Sequence, residues 1–170
     1  MNLLTETLDY APRRVFALIS VLCVAMLGYG MVLQHVVGLE PCPMCIVQRY
    51  ALVLLALVAA LAACARRSGW HRAGALLLVV FGLAGAGVAA RQSWLQWYPP
   101  EVASCGRDLW GMIDTFPLER VLPMVFRGSG DCSKIDWTFL GGTIANWAFA
   151  WFMVVALLAG WMLVRHVRRG

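Results

Sequence analysis

Apolar positions along this chain fall in long unbroken runs rather than in stripes. Four such runs, Val15–Gln34, Ile46–Ala65, Ala73–Ala90 and Ile144–Val164, are each close to the length of about 20 residues that a helix needs to cross the hydrocarbon core of a bilayer. Lipid offers no hydrogen bonds to a backbone, and the runs lack the alternation of a barrel strand, so each is read as a helix. The pattern predicts an all-α fold: an integral membrane four-helix bundle forming one membrane domain over residues 1–170, with outer segments at about 35–45 and 91–143. The first apolar run is longer than that of a cleaved leader, and Glu40-Pro41-Cys42 beyond it is no small-residue cleavage site. It is expected to remain as an anchor.

Composition agrees with the pattern. Of 170 residues, 61% are hydrophobic and only 14% charged, which excludes an ordinary soluble domain of this size. The few cations carry orientation: Arg13 and Arg14 precede the first run, Arg66, Arg67 and Arg72 join the second to the third, and Arg165, Arg168 and Arg169 come after the fourth. Those segments are expected on the cytoplasmic side, with both termini. The net charge of +5 is therefore mostly topology, and no basic stripe with interleaved aromatics points to nucleic acid.

Within the third run Gly82, Ala86 and Ala90 recur every four residues, with Gly85 and Gly87 between them, as in helices that pack backbone to backbone. Trp94, Trp97, Tyr98, Trp137 and Trp147 cluster near the outer ends of the spans, where amphipathic rings favour the interface. In the long outer segment, Phe116–Phe126 has apolar residues at helical spacing and predicts a short helix lying on the membrane. Arg127–Cys132 after it is rich in turn formers.

Six cysteines divide by position. Cys23 and Cys64 lie within or at the inner end of spans and read as small packing residues. Cys42, Cys45, Cys105 and Cys132 all fall on the outer side. Cys42-Pro43-Met44-Cys45 is a C-x-x-C, a pattern shared by redox and zinc sites. Its prolines favour helix initiation, which sets Cys45 at or near the N-terminus of the second span, where unpaired amides and the helix dipole favour a thiolate. Arg49 stands four residues later, on the same helical face; a cation inside an apolar span marks function by default and would stabilise that thiolate, against the plainer alternative that it snorkels to the headgroups from one turn deep.

A bond between Cys105 and Cys132 would restrict the unfolded loop by roughly 3 to 4 kcal/mol, so a purely structural disulfide competes with a redox role. A second cysteine pair waiting on the same side favours redox chemistry. Zinc is disfavoured, because only one short C-x-x-C is present, and His71 and His166 lie on the other side while His35 stands alone. No metal is expected.

Several motifs together resemble the disulfide bond formation protein B family (DsbB) of bacterial inner membranes. They are Glu40-Pro41-Cys42-Pro43-Met44-Cys45-Ile46-Val47-Gln48-Arg49, Leu95-Gln96-Trp97-Tyr98-Pro99, Leu122-Pro123-Met124-Val125-Phe126 leading to Ser129-Gly130-Asp131-Cys132, and Trp137-Thr138-Phe139-Leu140-Gly141. The resemblance implies an oxidase that reoxidises a periplasmic thiol-disulfide protein of the DsbA type and gives the electrons to ubiquinone or menaquinone. Relays of this kind keep the bacterial periplasm oxidising. On this chain it implies that the partner's thiolate attacks Cys105, that Cys132 then attacks Cys42, and that Cys45 is released beside the quinone. It further implies quinone contacts from Arg49, Cys45, Arg91, Gln92 and Val88. Many members carry a histidine directly after the arginine that ends the third span; here the pair is Arg91-Gln92. Arg91 is then the candidate for a second polar contact. Two rival classes are an enzyme of the vitamin K epoxide reductase type, disfavoured by the motif order around Cys132, and a membrane scaffold or transporter subunit with stapled loops, which lacks the broken helices of a transporter.

Overall fold

The computed structural model describes residues 12–99 and 132–168. The membrane-lying helix expected over residues 116–126, and Cys105, lie outside the described residues. Four helices dominate: α1 (Pro12–His35), α2 (Pro43–Cys64), α3 (Ser68–Trp97) and α4 (Ile144–Arg168). All four are long and apolar enough to cross a membrane. They run up, down, up and down, so the α1–α2 link and the start of α4 share one end with the C-x-x-C. The chain is a multi-pass membrane protein with a four-helix bundle fold.

Each helix boundary has a local cause. Beyond α1, the Leu39 N–H donates back to the Leu33 carbonyl at 3.1 Å while Gly38 takes φ +79°, a conformation open to glycine, and the chain turns toward Pro41. Cys42 then caps α2: it is extended at φ −79°, its sulfur accepts the Cys45 N–H at 3.3 Å, and Pro43 occupies the first helical position. At the opposite end of α2, Arg13 Nε donates to the Ala63 carbonyl at 2.8 Å, so a cation from α1 closes the carbonyl end of its neighbour.

The third helix continues past Ala90, where the apolar run ends, to Trp97. With 30 residues at about 1.5 Å each it is longer than a hydrocarbon core of about 30 Å. Backbone hydrogen bonding carries the helix through Arg91, Gln92 and Ser93 regardless of hydropathy, and Pro99 lies just past the end.

Helix α2 packs on α1 and α3, and α3 on α4, whereas α1 and α4 make little contact. The shared core is built around Phe16, Leu55, Leu78, Phe152 and Val155, all fully buried, while Leu18, Leu61, Leu76 and Leu157 face outward as a lipid-exposed protein requires. A Cβ at Gly85 would sit 2.7 Å from the Phe152 ring and one at Gly82 3.2 Å from the Ala156 Cβ, so these two glycines set the close approach of α3 and α4. Gly87 faces open space and Ala90 is exposed; Ala89 takes the packed position instead.

One element was not foreseen in the sequence. Residues Thr138–Phe139 (β1) and Gly142–Thr143 (β2) pair antiparallel, with Thr138 opposite Thr143 and Phe139 opposite Gly142. Leu140 and Gly141, at φ 50° and 78°, make the two-residue turn of positive φ that matches strand twist. The hairpin delivers Thr143 to the start of α4, where its hydroxyl accepts the Asn146 N–H at 3.4 Å and donates to Gln96 Oε1 of α3 at 2.8 Å.

Candidate functional site

Capping brings the two C-x-x-C sulfurs together. Because Cys42 is the cap and Cys45 lies in the first turn, Cys42 Sγ stands 3.0 Å from Cys45 Sγ and donates to it. Cys132 reaches the same place from the segment before the hairpin: it is 1% exposed and packs with Cys42, Met44 and Leu95. Hydrogen bonding with Cys132, then with Cys45, together with burial, holds the Cys42 thiol well above the ordinary thiol range. Cys42 and Cys45 are thiols in this structure. Three sulfurs that the sequence separates by up to 90 positions (132 − 42) thus form one contact group.

Carboxamides and one cation surround them. The Gln92 amide nitrogen of α3 donates to Cys45 Sγ at 3.2 Å and to Cys42 Sγ at 3.4 Å. Gln48 Nε2, one turn below Cys45 on α2, donates to Gln92 Oε1 at 2.7 Å. Both glutamines are almost wholly buried, at 4% and 3% exposure. Arg49 leans the other way, to α1: its Nη1 donates to Gln34 Oε1 at 2.7 Å and its Nη2 to the Gly30 carbonyl at 3.4 Å.

A cavity of about 450 Å³ lies between α1, α2 and the start of α4, within the size range of small-molecule sites. Cys42, Cys45, Gln48, Arg49 and Gln92 form its sulfur-bearing wall, and Leu22, Met26, Leu33 and Leu52 are among its apolar residues. Aromatic rings close it on the hairpin side. Tyr29 meets Trp137 edge-on at 6.3 Å, Trp137 stacks on Phe139 at 6.0 Å, and Trp147 donates from Nε1 to the Phe139 carbonyl at 3.0 Å. Trp137 and Trp147, expected only as interface anchors, therefore also line a cavity.

Of the residues singled out from the sequence, Cys42, Cys45, Arg49 and Gln92 meet at the cavity wall, and Cys132 touches Cys42 behind it. Val88 packs against the cysteine cluster without lining the cavity, and Arg91 is exposed and also outside its walls. Sequence reading missed Gln34 and Gln48 as partners of the site. The available signal was a carboxamide inside an apolar span three residues after Cys45, and another at the outer end of α1.

Comparison with known proteins accords with this geometry. The family model for disulfide bond formation protein DsbB matches residues 12–162. Disulfide bond formation protein B of Albidiferax ferrireducens is 60% identical over 168 residues, covering 99% of this chain and 97% of the relative. The protein of the same name from Polaromonas sp. (strain JS666) is 63% identical over 161 residues, 95% and 96% of the two chains. That from Azoarcus sp. (strain BH72) is 51% identical over 159 residues, 92% and 95%. A membrane bundle with clustered thiols, matched over nearly its whole length in this way, belongs to the DsbB family of disulfide bond formation proteins.

Proposed function

We propose that this protein is a protein-dithiol:quinone oxidoreductase of the bacterial inner membrane. It reoxidises a periplasmic partner of the DsbA type and passes the electrons through two cysteine pairs to ubiquinone or menaquinone. Both termini face the cytoplasm and the redox cysteines face the periplasm. Arg13, Arg66, Arg67 and Arg165 support that orientation, since they gather at the bundle end away from Cys42.

The observation that carries the reading is the contact of Cys42, Cys45 and Cys132 at the wall of an apolar cavity that also holds a guanidinium. A lipophilic ring with two carbonyl oxygens fits that chemistry: leucines and methionine for the ring, and the N–H donors of Arg49 for an oxygen. Arg49 and Cys45 are the residues that would hold it. Bound there, a quinone supplies a two-electron, two-proton acceptor.

The chain's own residues do the rest by thiol exchange. The partner's thiolate attacks Cys105 of a Cys105–Cys132 disulfide, forming a mixed disulfide and releasing Cys132 as a thiolate. Cys132 attacks Cys42 of the Cys42–Cys45 disulfide; the Cys42–Cys132 bond forms and Cys45 leaves with the electron pair. The partner's second thiolate displaces Cys105, which attacks Cys132, restores the outer disulfide and leaves Cys42 and Cys45 as a dithiol. A quinone held by Arg49 and Cys45 would accept the two electrons and two protons of that dithiol, which would let Cys42 and Cys45 close their disulfide again. Arg49, one turn from Cys45, favours the leaving thiolate at each cycle.

The test is oxidation of a reduced thioredoxin-fold dithiol protein by the purified protein, in detergent without oxygen. Oxidation should require added quinone, match it mole for mole, and stop in Cys45→Ser. Cys132→Ser should trap a mixed disulfide through Cys105, visible on a non-reducing gel. Oxidation of partner beyond the two equivalents that the protein's own disulfides can accept, in the absence of quinone, would overturn the reading.

A further inference from the structure

Two buried carboxamides stand against the cysteine pair, and thiol exchange as set out for the four cysteines gives neither a task. Gln92 has every part of its amide engaged: its nitrogen donates to both sulfurs, at 3.2 and 3.4 Å, and its oxygen accepts from Gln48 at 2.7 Å. A group so committed has little left with which to grip a bound ring, although its place in the sequence implied such a contact. Its hydrogens point instead at the reacting atoms.

We propose that Gln48 and Gln92 form an amide relay that aims a hydrogen-bond donor at Cys45 Sγ, with Gln92 acting on the sulfur and Gln48 as the positioning residue that fixes which end of the Gln92 amide faces it. This rests on the redox reading of Cys45. A carboxamide is nearly symmetric in shape but not in polarity: turned one way it presents N–H to a thiolate and stabilises it, turned the other way it presents an oxygen and repels it. Shape alone does not choose between the two. Gln48 does, because its Nε2 donates to Gln92 Oε1 and so leaves the Gln92 nitrogen on the sulfur side. At 4% and 3% exposure, water cannot substitute for either partner at little cost, and the orientation is held. When Cys132 attacks Cys42, the electron pair left on Cys45 therefore meets a donor already in position. The pair is uncharged, so it does this without adding a second cation to an apolar span, where charge is costly.

The relay makes a prediction that volume cannot mimic. Gln48→Glu keeps the shape of the side chain but accepts hydrogen bonds only, so it draws the Gln92 nitrogen toward itself and turns the Gln92 oxygen onto the sulfurs. Gln92→Leu deletes the donor outright. Gln92→His keeps the function, since an imidazole accepts from Gln48 on one nitrogen and donates to the sulfur from the other. In the Gln48→Glu background, the same histidine as imidazolium donates in both directions and restores the contact.

The experiment follows alkylation of Cys45 by iodoacetamide at neutral pH in the fully reduced protein without quinone, read by mass spectrometry, because the thiolate is the reactive form. Gln48→Glu and Gln92→Leu should each slow Cys45 labelling about tenfold, the scale of one charge-assisted hydrogen bond. Gln92→His and the Gln48→Glu/Gln92→His double variant should stay within about threefold of the parent. In turnover, kcat should fall for the first two while KM for quinone holds. Protection from labelling of Cys23, fully buried in α1, and the helical circular dichroism report whether each variant is folded. Should Gln92→Leu not fold, the isosteric Gln48→Glu carries the test. Unchanged Cys45 labelling in Gln48→Glu, or a rise in KM alone, overturns the relay. If the parent fails to reduce quinone while Gln48→Glu still slows labelling, the oxidase reading falls and the relay stands.

Discussion

Replacing Arg49 by alanine removes the only guanidinium among the described residues that lines the cavity, and its contacts set the size of the effect. Its Nη1 sits 2.7 Å from Gln34 Oε1 and its Nη2 3.4 Å from the Gly30 carbonyl, so the planar head is held at the cavity wall by α1 before any ligand arrives. A hydrogen bond from such a charged donor to a carbonyl oxygen contributes about 1.5 to 3 kcal/mol. At about 1.4 kcal/mol for each factor of ten, the upper part of that range would raise KM nearly a hundredfold; partial exposure of the site brings the expectation to about tenfold. Arg49→Lys should recover part of the loss, because it keeps the charge and loses the fork that reaches Gln34 and the cavity together. Gln34 Oε1 is left without its cation in the alanine variant, which should also cost about 1 kcal/mol of stability. Steady-state oxidation of the dithiol partner at a series of quinone concentrations separates KM from kcat. A KM within twofold of the parent for Arg49→Ala would show that the arginine only anchors α2 to α1 and to the membrane surface.

The packing and the thiols lead to three further outcomes. Gly85→Ala sets a methyl 2.7 Å from the fully buried Phe152 ring, so an overpacking cost of about 1 to 3 kcal/mol outweighs the helical preference for alanine of about 1 kcal/mol, whereas Gly87→Ala, facing open space, should stabilise; thermal unfolding in detergent compares them. The raised Cys42 thiol keeps its proton in the folded state above about pH 8.5, where an unfolded thiol ionises, so the reduced protein should lose stability as pH climbs past that point and Cys42 should be labelled slowly there; labelling at the rate of an unfolded peptide contradicts this. Leu140→Gly should stabilise the hairpin by about 1 kcal/mol, since leucine at φ 50° bears a steric cost that glycine does not, and an unchanged melting temperature would count against that strain.

How far the sequence revealed this arrangement depends on which force fixes each part. Helices α1 to α4 were legible because lipid imposes length and hydropathy on any segment that crosses it. Cys42 and Cys45 were legible as a helix-terminal pair because Pro41 and Pro43 announce the cap. The continuation of α3 to Trp97 was not, since Arg91-Gln92-Ser93 ends the apolar run while backbone hydrogen bonding runs on. The hairpin was not, because a ladder of two residues per strand leaves no alternation to read. Gln48 and Gln34 escaped notice for a different reason: an uncharged amide in an apolar span gives a weak local signal, and its meaning lies in a partner on another helix. The convergence of Cys132 on Cys42 is likewise a tertiary fact that no spacing encodes.

The most direct test of the central claim, that Cys42 and Cys45 hand their electrons to a quinone in the adjacent cavity, is the redox state of that pair alone. Reduced protein in oxygen-free detergent, with Cys105 and Cys132 both replaced by serine, is mixed with a known amount of ubiquinone, and the Cys42–Cys45 peptide is read by mass spectrometry after alkylation. The account predicts that the dithiol becomes a disulfide, one pair per quinone consumed, and stays reduced when quinone is withheld. A pair that remains reduced in the presence of excess quinone, while the protein is folded, would contradict it.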